Sequence, residues 1–252
     1  VPIYRAVVEY DGTNFCGLQF QAGVRTVAGE LERALRTIFA EDVKISAAGR
    51  TDAGVHATGQ VISFRSDRAF PLERLALALN ANLPDDVSVR AADLVPNGFS
   101  ARFDAEARTY EYRILNRPLP SAVERRFAHH VHRPFDLEVA RRAAAGLVGE
   151  HDFAAFCGVA PERGGTVRTI HSIEIARLGD RIGLRIAARG FLHRMVRICV
   201  GTLVEIATGR RDPDDIPAIL ASQDRRRAGY TAPAEGLFLV GVRYADFDSE
   251  LA

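Results

Sequence analysis

The hydrophobic period of this chain switches between two and 3.6 residues in a fixed order, and that order limits the folds open to it. Residues 3–10 alternate and predict a strand. Residues 26–39 carry Val27, Leu31, Ala34, Leu35 and Ile38 on one helical stripe, with Thr26 as the expected N-cap. Strands are expected at 43–46 and 60–64, a helix at 71–81 with its proline near the first turn, and a strand at 87–92. Strand, helix, strand, strand, helix, strand is the split βαβ, ferredoxin-like plan. Much the same order then returns. A strand is expected at 107–115, a helix at 136–148 capped by Asp136 and stopped at Gly149, and a hairpin at 167–178 and 181–188 turning on Gly179-Asp180. A helix at 192–208, a short extra helix at 213–221 and a strand at 236–244 complete it. The two stretches share an order of elements and no repeated sequence. The expectation is an α+β protein of two subdomains, 1–98 and 99–252, whose sheets lie side by side with helices on one face and leave an open face or cleft for a ligand.

Composition excludes several classes. In 252 residues, 47% hydrophobic and 26% charged content is that of a globular protein with ample core. No apolar run approaches the ~18 residues of a membrane span, and the start has no signal-peptide pattern. Cys16, Cys157 and Cys199 are too few and too scattered for a disulfide framework or a zinc site, which fits a reducing cytoplasm. Cys16 is expected to be a small buried or half-buried thiol. Net charge is only +1, yet Lys44 is the sole lysine among 33 Lys and Arg residues. Arginine suits bidentate phosphate contacts and stacking on bases, so where the arginines cluster matters more than the total. Clusters occur at Arg102, Arg108, Arg113, Arg117, Arg125 and Arg126, with His129, His130 and His132 nearby, and at Arg225-Arg226-Arg227.

The stretch 47–60 joins two expected strands but is longer than a hairpin turn requires. Glycines at 49, 54 and 59 punctuate it, and Arg50, Thr51, Asp52 and His56 are crowded into it. Loops so dressed tend to carry function. By themselves these residues allow a catalytic carboxylate, a surface Arg-Asp pair, or an Asp52/His56 acid-base pair of a small-molecule enzyme. His56 is expected to be structural, bonding its own loop. The chain has no P-loop, no dinucleotide-binding glycine fingerprint and no metal cluster; the Gly-rich 158–165 lacks the Lys-Ser/Thr ending and is expected to be a mobile loop.

Gly49-Arg50-Thr51-Asp52-Ala53-Gly54-Val55-His56 resembles the signature loop of the TruA-type tRNA pseudouridine synthases. The resemblance runs from about Tyr4 to Tyr244 and includes Ala101-Arg102-Phe103, Arg108-Thr109-Tyr110-Glu111-Tyr112, and Gly190-Phe191-Leu192-His193-Arg194-Met195-Val196-Arg197. It implies the pseudouridine synthase fold: a continuous antiparallel sheet with a central cleft, in a homodimer that shares the RNA. It implies conversion of uridine to pseudouridine in the anticodon stem-loop of tRNA, at positions 38, 39 and 40, without cofactor or metal. Asp52 is then the essential catalytic residue, Arg197 the cation that keeps it ionised in a desolvated pocket, and Tyr110 the aromatic that holds the base and helps the C5 proton leave. Tyr112 points the same way two residues on, and spacing cannot choose between the two. Leu237 is the residue expected to pack the other side of the base. Arg50, Thr51, Arg102 and Arg108 are the remaining expected substrate contacts, with Arg50 reaching phosphate or helping to extrude the nucleotide. Where the family commonly has Trp and Arg after the first strand, this chain has Leu18 and Phe20, so that loop is expected to be less cationic. The rival expectation is an RNA-binding or RNA-folding protein on the same scaffold without catalysis.

Overall fold

A computed structural model describes all 252 residues and divides them into two units, Val1–Arg108 with Phe238–Ala252, and Thr109–Leu237. In the first unit, β1 (Ile3–Tyr10) buries every residue but Glu9, as the centre of a sheet requires. Helix α1 (Val27–Phe39) starts where Thr26 accepts a hydrogen bond from Gly29 N and ends on Ala40, which takes a left-handed φ of 50°. It buries Val27, Leu31, Ala34, Leu35 and Phe39; each large apolar side chain so buried contributes about 1.5–3 kcal/mol. β2 (Ile45–Ala47), β3 (His56–Arg65), α2 (Leu72–Asn80) and β4 (Val87–Val95) follow. β1 pairs antiparallel with β3 on one side and β4 on the other, and β2 pairs antiparallel with the far half of β3. Tyr4, Phe39 and Phe64 meet at ring separations of 5.1 to 5.9 Å where α1 crosses this sheet.

In the second unit, β5 (Ala107–Leu115) leads through the two-residue β6 (His129–His130) to α3 (Leu137–Ala145). Asp136 caps α3 as expected, accepting from Glu138 N and Val139 N. β7 (Gly149–Asp152), β8 (Val167–Leu178) and β9 (Arg181–Ala188) follow, then α4 (Met195–Ala207) and α5 (Ile216–Ser222). The sheet order is β5-β9-β8-β7, with β6 parallel to β5. The β8–β9 hairpin has the expected limits and turn. α4 is buried on almost all sides and packs against α3.

β10 (Leu237–Arg243) returns to the first unit, where Phe238 and Leu239 pair in parallel with His56 and Ala57 of β3. β10 is buried over Leu237–Val242. The α+β class and the mostly antiparallel pairing agree with the expectation. Element limits shift where glycine was taken for a breaker: β3 begins at His56 rather than 60, and α3 stops at Ala145 with Gly149 opening β7. α4 begins at Met195, three residues later than expected. No helix is long and apolar enough to cross a membrane.

Candidate active site

The motif loop is the eight residues between β2 and β3, and its backbone is tied down along its length. At its start, Ala48 N donates to Val61 O at 2.8 Å. Ala48 O accepts from Nε and Nη2 of Arg108 at 3.0 and 2.8 Å. Gln60, fully buried on β3, pairs its amide with the next residue: Nε2 donates to Gly49 O at 2.8 Å and Oε1 accepts from Gly49 N at 3.3 Å. The same Nε2 lies 3.4 Å from the Tyr10 hydroxyl, and that hydroxyl is 2.8 Å from Thr51 Oγ1. Thr51 O accepts from Leu18 N at 3.1 Å, and Asp52 O closes a turn by accepting from Val55 N at 3.1 Å. The side chain of Asp52 is half-buried, and that of Arg50 is exposed.

Two further contacts fix the far end of the loop. His56 is buried, accepts from Gly12 N at Nδ1 (3.0 Å), and stacks on Phe238 with ring centroids 4.6 Å apart. The same Nδ1 lies 3.2 Å from Asp11 Oδ1. His56 is thus structural, as expected, but it bonds the turn after β1 rather than its own loop. Gly12 must be glycine, since a Cβ there would lie 2.0 Å from Val55 O.

The expected substrate contacts fall into two groups. The hydroxyl of Thr51 is turned inward to Tyr10, and Arg108 grips Ala48 O, Arg102 O (2.6 Å) and Ala105 O (3.3 Å). Both side chains are occupied in holding the loop, because buried donors and acceptors must be paired. Arg50 and Arg102 are exposed, and Arg102 lies over the exposed ring of Phe103 at 5.2 Å. Among the other arginines, Arg113 pairs with Glu111, Arg225 donates to Gly229 O and Thr231, and Arg226 pairs with Asp224. Arg126 and Arg227 are exposed. Cys16 is exposed, contrary to expectation, because the turn there sends its neighbours Phe15 and Leu18 into the core instead. Leu18 therefore occupies the place of the usual Trp as a core residue, while Phe20 is 56% exposed beside Lys44 (5.3 Å to the ring).

In the second unit, Tyr112 is fully buried, donates its hydroxyl to Pro233 O at 2.9 Å, and lies so close that a Cβ on Gly236 would be 2.7 Å from its ring. Burial pushes its phenol well above the usual range. Tyr110 is 7% exposed and meets Phe191 edge to face at 5.3 Å. Of the two tyrosines that spacing left equivalent, Tyr112 is fixed by a backbone carbonyl. Arg197, in the first turn of α4, is braced by Ala232: Nε donates to Ala232 O at 2.7 Å and Arg197 O accepts from Ala232 N at 3.0 Å. Leu237 is buried at the start of β10.

A half-buried aspartate on a loop tied down through its backbone, carried by an α+β unit with an antiparallel sheet, is a candidate reacting group. A family model described as tRNA pseudouridine synthase matches residues 6–104 and 143–245. The tRNA pseudouridine synthase A of Brevibacillus brevis is 43% identical over 95% of this chain and 98% of its own. That of Caulobacter vibrioides is 44% identical over 98% of this chain and 100% of its own, and that of Halalkalibacterium halodurans 44% over 91% and 88%. A solved H/ACA ribonucleoprotein bound to a substrate RNA containing 2′-deoxyuridine aligns at 11% identity and a TM-score of 0.36, over 80% of this chain and 44% of that one. The chain belongs to the tRNA pseudouridine synthase family. It is an isomerase of that family, converting uridine to pseudouridine.

Proposed function

We propose that this chain isomerises uridines in the anticodon stem-loop of tRNA, at positions 38, 39 and 40, with Asp52 as the catalytic residue, acting as a homodimer in the cytoplasm. The reaction breaks the N1–C1′ bond, turns the base, and joins C5 to C1′; the C5 proton leaves and N1 gains one, so the product has the formula of the substrate. It needs an ionised carboxylate near the sugar and base, a cation to keep that carboxylate charged, and an aromatic surface for the uracil. Asp52, Arg197 and Tyr110 are the residues for these roles, with Leu237 as an apolar partner for the base. Arg50 and Arg102, both exposed, are the side chains for the phosphate backbone. Phosphate contacts of this kind make affinity fall steeply with salt.

The observation that carries the reading is the Asp52 loop itself. Its backbone is bonded on both sides of the aspartate, and the aspartate itself is half-buried. Such rigidity suits a reacting group that must meet an extruded nucleotide in one geometry.

The test is tritium release from unmodified tRNA labelled at uridine C5, with wild type and Asp52→Asn in parallel. The substitution keeps the shape and removes the charge. Release by wild type alone, lost when the uridines of the 3′ side of the anticodon stem-loop are replaced by cytidine, is the expected result. Release by Asp52→Asn at the wild-type rate overturns the role of Asp52. Tight tRNA binding with no release by either protein overturns the catalytic reading in favour of an RNA-binding protein.

A further inference from the structure

The loop's hydrogen bonds converge on two buried side chains outside the signature. Tyr10 ends β1 and is 4% exposed; Gln60 lies within β3 and is 0% exposed. Every polar group between them and the loop has a partner. Gly49 N donates to Gln60 Oε1, which fixes the amide's orientation and leaves Nε2 with two hydrogens. One goes to Gly49 O and the other faces the Tyr10 oxygen. The phenol is then free to donate its own hydrogen to Thr51 Oγ1 at 2.8 Å. The chain of bonds runs one way, from the Gln60 amide through the Tyr10 phenol to the hydroxyl of the residue just before Asp52.

We infer that Tyr10 and Gln60 are positioning residues for the reaction: by gripping Gly49 at its backbone and Thr51 at its hydroxyl, they set where the carboxylate of Asp52 stands. The inference rests on Asp52 being the catalytic residue. Gln60 does with one side chain what a neighbouring strand would do, pairing both backbone groups of Gly49 where β2 has already ended at Ala47. Without it the loop would begin unpaired, two half-buried backbone groups would lack these partners, and the path to Asp52 would be free to shift. Tyr10 extends the hold to Thr51, whose carbonyl is anchored separately by Leu18 N. Asp52 thus leaves a residue fixed at two points. Burial pushes the Tyr10 phenol up to about 12, so it remains a neutral hydrogen-bond relay at working pH and takes no part in proton transfer.

The decisive variant is Tyr10→Phe, which removes one oxygen and keeps the ring in the core. Displacing a reacting group by as little as 1 Å can cost about 100-fold in rate. A freed Thr51 hydroxyl displaces Asp52 by less, and single-turnover tritium release is expected to slow about tenfold. tRNA affinity, measured by competition, should stay within about twofold, and the shape of the pH–rate profile should not change. Thr51→Val, which removes the other end of the same bond, should match Tyr10→Phe. The double variant Tyr10→Phe/Thr51→Val should be no slower than Thr51→Val alone, since both cut the same bond. All rates are taken at a temperature where circular dichroism shows each variant fully folded. A wild-type rate for Tyr10→Phe, or multiplying losses in the double variant, overturns the inference. Asp52→Asn, run beside them, separates the two ideas. If it turns over normally, the reading of Asp52 falls and this inference with it; if it is inert while Tyr10→Phe is unaffected, the positioning role alone falls.

Discussion

Histidine 129 shows how a single side chain ties this protein's stability to pH. Its Nε2 lies 3.1 Å from the Tyr230 hydroxyl, and it sits beside Tyr112 and His130. Burial first, and the neighbouring His130 second, lower its pKa from 6.5 to about 4. The unfolded chain therefore binds a proton that the folded one refuses throughout that interval. Stability contributed by the neutral ring is complete above pH 6.5 and is lost as pH falls toward 4. The loss should reach up to about 3 kcal/mol. Melting temperature followed from pH 7 to pH 4.5 should fall less steeply in His129→Phe than in wild type; parallel curves would show that this ring is not responsible. Sequence could mark His129 only as one of three histidines near a basic cluster. The same limit applies in the motif. Asp52 could be picked out because eight adjacent residues carry the signature. The inward use of Thr51 and Arg108 could not, since their partners lie 41 and 60 residues away in the chain. Tyr10 and Gln60 were invisible for the same reason: a tyrosine and a glutamine in alternating strands read as ordinary strand residues.

At the scale of elements, periodicity located most helices and strands, and it failed mainly at glycine. Gly59 argues for a loop in the sequence, yet it lies inside β3, where a Cβ would come within 2.2 Å of Val240 O. It marks a close approach of β10 and not a break. β6 and β7, of two and four residues, are too short to show a period at all. α4 illustrates the opposite case. Its apolar length was legible, but not the purpose of Gly201 within it. A Cβ there would stand 1.9 Å from Tyr230 O, so the helix is notched to accept the segment that also braces Arg197 through Ala232. In Gly201→Ala, backbone must move against backbone. The expected cost is about 3 kcal/mol, or a melting temperature lower by roughly 6–12 °C. Thermal unfolding of the variant checks this, and an unchanged melting temperature would mean that the 229–232 segment yields freely.

For the whole molecule, the first unit is built from two separate stretches of the chain, Val1–Arg108 and Phe238–Ala252. The order of elements suggested two successive subdomains, because a pattern along the sequence cannot say which edge a last strand will choose. Residues 238–252 complete the first unit through several separate ties. Phe238 stacks on His56, Tyr244 donates to Ala101 O at 2.7 Å, and Ser249 Oγ donates to Gly59 O at 2.8 Å. A fragment of residues 1–108 should accordingly lack stable structure, with an open β3 edge prone to association. A permuted fragment, with 238–252 joined by a flexible linker ahead of residue 1, should fold. Amide exchange compares them directly: slow exchange in β1 and β3 of the bare fragment would show that the C-terminal segment is dispensable.

The same connectivity sets the order of events during synthesis. A ribosome that has made residues 1–108 must still make the whole of Thr109–Leu237 before the segment that finishes the Asp52-bearing unit exists. At usual elongation rates that interval is on the order of ten seconds. Throughout it the nascent chain carries the signature residues without the strand that holds His56 and the end of their loop. A growing polypeptide of this kind emerges among abundant tRNA with its signature loop still short of one anchor, so a product cut short before Phe238 should show no tritium release.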